Sequence, residues 1–206
     1  LKMIEALLQD GHKAVVASPT EGPFTRLLAE KKVPVFLIPF EKTYSFHRAF
    51  QLARLACREH VQLIHSHGMV SVNVNSRLAA RWAGIPCLSH IHIADVFNQN
   101  PLIRRYQIAL DRWTSKSCHR LIAVSEATKR SLVNQGIEPD RIRVIPNGVE
   151  IKGLSIVSRD EVARSFRIDP RKRLVGVIGR LCPAKGQEEF LKAAKWVSER
   201  MPEVAW

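Results

Sequence analysis

A chain of 206 residues with 46% hydrophobic content can hold one complete domain and part of another, and no apolar run approaches the ~18 residues of a membrane-spanning helix. The net charge of +13 favours anionic partners, yet the basic residues sit in short clusters along the whole chain, without a basic tail or any nucleic-acid-binding motif. Cys57, Cys87, Cys118 and Cys182 include no closely spaced pair of the zinc-ligand kind and read as free thiols of a reducing compartment.

In chain order, Leu1 to Asp10 reads as a helix with Ile4, Leu7 and Leu8 on one face and Gly11 to end it. Ala14 to Ser18 reads as a buried strand, Pro23 to Lys31 as a helix and Val33 to Ile38 as a strand. Phe46 to Glu59 carries Phe46, Ala49, Phe50, Ala53, Ala56 and Cys57 on one helical stripe. Strands follow at Val61 to His67, Pro86 to His92, Arg120 to Val124 and Ile142 to Ile145. The helices between them are Val72 to Ala83, Pro101 to Ser117, and one that begins after Ser125 and ends near Gly136. Ser125 suits a helix N-cap, and AVSEA lacks the glycines of a nucleophile elbow. Short apolar strands alternating with helices specify an α/β, doubly wound parallel sheet covered on both faces.

Residues 149–172 are polar, basic and weakly periodic apart from a helical stretch near Asp160 to Phe166, which marks a linker. A second pattern opens with a buried strand from Leu174 (LVGVIG), continues with a helix from Gln187 to Arg200 and reaches a strand at Val204 to Trp206. Between strand and helix lies GRLCPAKG, residues 179–186. Arg180 at the carboxyl end of the strand and Lys185 beside Gly186 at the helix entrance bring two cations and a helix N-terminus to one place, a combination that suits a diphosphate.

Four segments now stand in order: LIHSHG at 63–68, GIPCLSHIH at 84–92, LIAVSEATKRSLVNQGIEPDRIRVIPNGVE at 121–150, and GRLCPAKG with the helix GQEEFLKAAKWV that follows. Together they resemble retaining glycosyltransferases of family 4, which have the GT-B fold of two Rossmann-like domains. The resemblance implies transfer of a sugar from a nucleotide-diphosphate sugar to a sugar or lipid-linked acceptor. It gives Arg180 and Lys185 the role of holding the donor diphosphate and stabilising the leaving nucleotide, with Gly186 at the same site. It sets His92 near the donor sugar in the interdomain cleft, together with His67, and makes Asn147 and Gly148 the turn that leads out of the first domain. No metal or other cofactor is required in such enzymes, because the cations take its place.

On this reading residues 1–148 are an incomplete N-terminal Rossmann-like domain on the acceptor side, 149–172 a linker and 173–206 the truncated opening of the nucleotide-sugar-binding domain. The family's first strand and glycine-rich loop would lie upstream of Leu1, and its glutamates, spaced eight apart, downstream of Trp206. The 206 residues by themselves are therefore expected to be inactive. The usual setting of such enzymes is cytoplasmic, in polysaccharide or cell-envelope synthesis, sometimes peripheral on the membrane.

Other readings stay open on the residues alone. His65 with His67, and His90 with His92, alternate on strands, so each pair shares a sheet face. With Asp95 nearby they could hold zinc as in a metal hydrolase, although no further carboxylate or histidine is spaced to complete a ligand set. A sugar-nucleotide epimerase, a phosphorylase or a non-catalytic binding module could share the fold. The helix from Pro101 carries Leu102, Ile103, Tyr106, Ala109, Leu110 and Trp113 on one side, with Arg104, Arg105, Arg112 and Lys116 around it. Packing against the sheet is the first expectation for that side, and contact with anionic lipid the second.

Overall fold

The computed structural model describes residues 1–39, 45–93, 97, 100–149 and 157–206. It divides into two compact units, Leu1–Gly148 and Val149–Trp206.

In the first unit, α1 (Lys2–Gln9) precedes a parallel pair, β1 (Val16–Ser18) and β2 (Val35–Leu37), joined through α2 (Pro23–Glu30). After α3 (Phe46–Arg58), a four-stranded parallel sheet runs in sequential order: β3 (Ile64–His67), β4 (Cys87–Ile91), β5 (Arg120–Ala123) and β6 (Ile142–Val144). Its crossovers are α4 (Val70–Ala83), α5 (Pro101–Ser115) and α6 (Glu126–Asn134). Parallel neighbours need such crossovers, because a tight turn can only reverse the chain. Side chains alternate across each strand, so Ile91, Leu121, Ala123 and Ile142 share one face and meet Leu132 of α6 in a buried cluster. A second cluster joins Leu52, Ala53 and Leu55 of α3 to Ala79 of α4 and to Ile38 beyond β2.

Local signals act where the sequence places them. The Ser125 hydroxyl accepts a hydrogen bond from the Thr128 amide at 3.1 Å, which makes it the cap of α6. Gly84 ends α4 at φ 68°, a left-handed conformation that favours glycine.

Two helices turn differently from expectation. α3 buries Ala49, Leu52, Ala53, Leu55 and Ala56, whereas Phe46 and Phe50 lie exposed beside Trp82 of α4. α5 buries Asp111, Thr114 and Ser115, and of its apolar stripe Leu110 packs partly buried against Ala49, Val70, Val74 and Leu78 while most of the rest stays out. Leu102 remains 77% exposed and Trp113 56%, with Ile103 and Tyr106 also exposed. The reason is Arg77, which projects from α4, is fully buried and demands polar partners from the helix packed on it.

In the second unit, α7 (Arg159–Ser165) is capped by Ser158, whose hydroxyl accepts from the Glu161 amide. β7 (Arg173–Leu174) and β8 (Val204–Ala205) form a parallel pair, with α8 (Gln187–Ser198) between them. The strand expected through LVGVIG is much shorter than the apolar run. Only Val175, through its amide to the Ala205 carbonyl, extends the pairing, and Ile178 is fully exposed. An apolar run becomes a buried strand only where neighbours supply backbone partners and a packed face, and β8 offers two residues.

Candidate functional site

The carboxyl ends of β3 and β4 carry the first group of interest. Ser66 alternates with His65 and His67 on β3, and Ser89 with His90 on β4, so serines and histidines occupy opposite faces of the sheet. The register pairs Ser66 with Ser89 and His67 with His90.

On the serine face a buried polar chain locks the two strands to α4 and α5. Ser66 Oγ donates to Asn73 Oδ1 at 2.8 Å and to Ser89 Oγ at 3.1 Å. Arg77 Nε donates to Ser89 Oγ at 2.9 Å, and Arg77 Nη1 to Asp111 Oδ1 at 2.7 Å. Sequence reasoning missed this network. The available signal was an arginine amid the small and apolar residues of α4, with an aspartate beside the apolar stripe of α5.

On the opposite face the imidazoles crowd together. Ring centroids lie 4.3 Å apart for His65 and His67, 4.7 Å for His67 and His90, and 4.6 Å for His90 and His92. His67 Nδ1 and His92 Nε2 approach to 3.3 Å, so one of the two carries the shared proton. Burial, then repulsion from His65, His90, His92 and the amino terminus, lowers the pKa of His67 to about 4. His65 and His90 are lowered by burial first, and then by neighbouring histidines. These three rings are therefore neutral at pH 7. The structure thus unites His67 with His92, both assigned to the cleft by sequence. Asp95 lies outside the described residues.

Cys87 on β4 and Cys118 just before β5 are buried, while Cys57 is exposed; all four cysteines are free thiols. The Cys118 thiol beside it, together with burial, pushes Cys87 above the ordinary thiol range, so it is an unreactive structural thiol. Asn147 and Gly148 lie exposed at the end of the first unit.

The second group lies in the other unit. A 3-10 turn at Pro183–Lys185 and Gly186, at φ 67°, fold the loop after β7 back toward its own start. The Gln187 side-chain amide donates to the Arg180 carbonyl at 2.7 Å. The aliphatic stem of Lys185 lies 3.6 Å from where a Cβ on Gly179 would stand. Arg180 and Lys185 are thereby held in one closed loop at the N-terminus of α8, which has no side-chain cap. Glu188 and Glu189 in the first turn of α8 temper its positive end. Arg180 and Lys185 are both exposed.

A parallel α/β sheet with α-helical crossovers and polar residues at its strand ends places the chain among Rossmann-like α/β proteins, whose ligands bind outside the carboxyl ends of the strands. The chain belongs to Glycosyltransferase Family 4, whose model matches residues 1–152. It is 26% identical over 86% of its length to a UDP-Gal:alpha-D-GlcNAc-diphosphoundecaprenol alpha-1,3-galactosyltransferase of Escherichia coli, and covers 48% of that protein. It is 32% identical over 76% of its length to the phosphatidylinositol N-acetylglucosaminyltransferase GPI3 subunit of Saccharomyces cerevisiae, and covers 35% of it. Its fold is that of Anabaena Alr3699/HepE, solved with UDP and glucose, at a TM-score of 0.74 and 20% identity over 93% of this chain and 52% of that one. The chain therefore spans about half, or less, of the proteins it matches.

Proposed function

We propose that the whole protein transfers a sugar from a nucleotide-diphosphate sugar to an acceptor hydroxyl with retention of configuration, in polysaccharide, cell-envelope or glycolipid synthesis. The observation that carries this reading is the closed loop at 179–186 on a chain of Glycosyltransferase Family 4. In this reading Arg180 and Lys185 hold the donor diphosphate, and negative charge growing on the leaving nucleotide meets preplaced cations, so no metal is needed for departure. His92, braced by His67, positions the donor sugar. Asn147 and Gly148 form the turn out of the acceptor-side domain.

The test is to incubate the whole protein with a panel of UDP- and GDP-sugars and candidate acceptors in EDTA, and follow products by NMR. Glycoside with the donor's anomeric configuration, formed together with free nucleoside diphosphate, is expected. Release of an epimerised donor, or a requirement for inorganic phosphate, would point to an epimerase or phosphorylase instead. The 206-residue chain alone is expected to turn over no sugar nucleotide.

The acceptor in this reading is lipid-linked, and α5 is the surface that approaches the membrane. Its exposed stripe of Leu102, Ile103, Tyr106 and Trp113 is flanked by Arg104, Arg105, Arg112 and Lys116. Such a face suits shallow insertion between anionic headgroups. A shallow cavity of about 250 Å³ beside Trp113 has Arg81 and Lys116 at its wall. No helix among the described residues is long and apolar enough to cross a membrane. In this reading the protein works as a peripheral enzyme on the cytoplasmic face of the membrane. Co-sedimentation with phosphatidylglycerol vesicles at low salt is expected, with loss of binding in Leu102→Glu/Trp113→Glu. Equal sedimentation with neutral vesicles, or an unaffected double variant, would remove α5 from that role.

A further inference from the structure

We propose that His65, His67 and His90 form a binding site for one zinc ion on the histidine face of β3 and β4. Three observations carry this inference. One ring nitrogen from each residue lies within 4.8 Å of the others. His65 Nε2 and both ring nitrogens of His90 are buried without a hydrogen-bond partner among the described residues. The rings are held by paired strands, with His67 and His90 in direct register and His65 two residues before His67.

The orphaned nitrogens are the main point. A buried polar atom without a partner loses its hydration with nothing in return, and a buried histidine ordinarily satisfies at least one ring nitrogen. His90 satisfies neither. No carboxylate joins this group among the described residues, so the donors are all imidazole nitrogens. Neutral imidazole is a preferred zinc ligand, and zinc, with a filled d shell, makes few geometric demands on ligands fixed by a sheet.

The distances fit. Zn–N bonds of about 2.0–2.1 Å in a tetrahedral site place neighbouring nitrogens about 3.3 Å apart. The set exceeds that separation by at most about 1.5 Å, which side-chain rotation covers without moving the strands. His92, in contact with His67 at 3.3 Å, stands next to the site rather than within it. The ion in this proposal clamps the ends of two strands and has no part in the departure of the leaving group. Its test reads binding, not turnover, so it stands or falls separately from the transferase reading.

The experiment uses the tag-free 206-residue chain, stripped of metal and titrated with zinc against a chromophoric chelator. One equivalent is expected to bind and to raise Tm. His65→Gln and His90→Gln should each weaken binding at least tenfold, since loss of even an outer partner of a zinc ligand costs about 10–100-fold. His60→Gln should change nothing. X-ray absorption on the unmodified zinc-loaded chain should show imidazole scattering with nitrogen at about 2.0 Å, and decides the matter should a variant fail to fold. Substoichiometric zinc, unchanged affinity in both folded variants, or a spectrum without imidazole would overturn the site.

Discussion

Arg180→Ala in the whole protein is expected to lower kcat about 100- to 1,000-fold, the loss typical of removing one preorganised group that meets developing charge. The acceptor KM should stay nearly constant, because the acceptor is assigned to the other domain. The 179–186 loop is the reason. Its Arg180 carbonyl is tied to Gln187, and Lys185 folds over Gly179, so the backbone that carries the guanidinium is fixed before a ligand arrives. A cation carried on a fixed backbone needs less reorganisation when charge appears on the leaving diphosphate. Arg180→Lys should recover only part of the rate, since an ammonium lacks the planar fork that pairs two phosphate oxygens. Steady-state and single-turnover kinetics with the donor that proves active provide the check. A rise in donor KM at constant kcat would mean that Arg180 binds ground state and transition state alike, and would remove it from the chemical step.

Arg77→Met is expected to destabilise the chain by about 3–5 kcal/mol, the cost of breaking a buried ion pair from one side. Arg77 is fully buried and Asp111 is nearly so, with 2.7 Å between Nη1 and Oδ1. Methionine fills much of the volume but leaves the Asp111 carboxylate without its cation. It also removes the donor to Ser89, through which α4 is connected to Ser66 and the end of β3. Against a domain stability of about 5–15 kcal/mol, such a loss leaves a large unfolded fraction. Arg77→Met/Asp111→Leu should regain most of it, because replacing both charges by apolar groups removes the uncompensated carboxylate. Urea denaturation of the three proteins measures both numbers. A single variant within about 1 kcal/mol of the parent would show that the pair contributes no more than a surface bridge does.

The candidate histidines and the cations of the 179–186 loop were picked out from the sequence for different reasons. His67 and His92 stood out through the family resemblance, which sets them in the cleft; strand-end position alone did not single them out. Arg180, Lys185 and Gly186 stood out because cations and a glycine bracket a helix start. Period-two spacing already placed His65 with His67 and His90 with His92 as a possible zinc group; which of the four converge was not legible, because that depends on which strands pair and in which register. β3 and β4 could be read one at a time, but the pairing of His67 with His90 belongs to neither alone.

By itself the sequence determined the order and kind of nearly every element of the first unit, since periodicity, capping residues and glycines act within a few positions of themselves. It also determined the cap at Ser125 and the cation loop, both local features. Tertiary structure alone decided which side of α5 faces inward. A helix with an apolar stripe normally buries it, yet one buried arginine on α4 claimed Asp111 and Thr114 and turned the stripe outward. It likewise decided that LVGVIG pairs over so short a span, because strand formation depends on backbone partners that a chain segment cannot carry in itself. In both places the outcome depended on a neighbour distant in sequence, and hydrophobic periodicity holds no information about that neighbour.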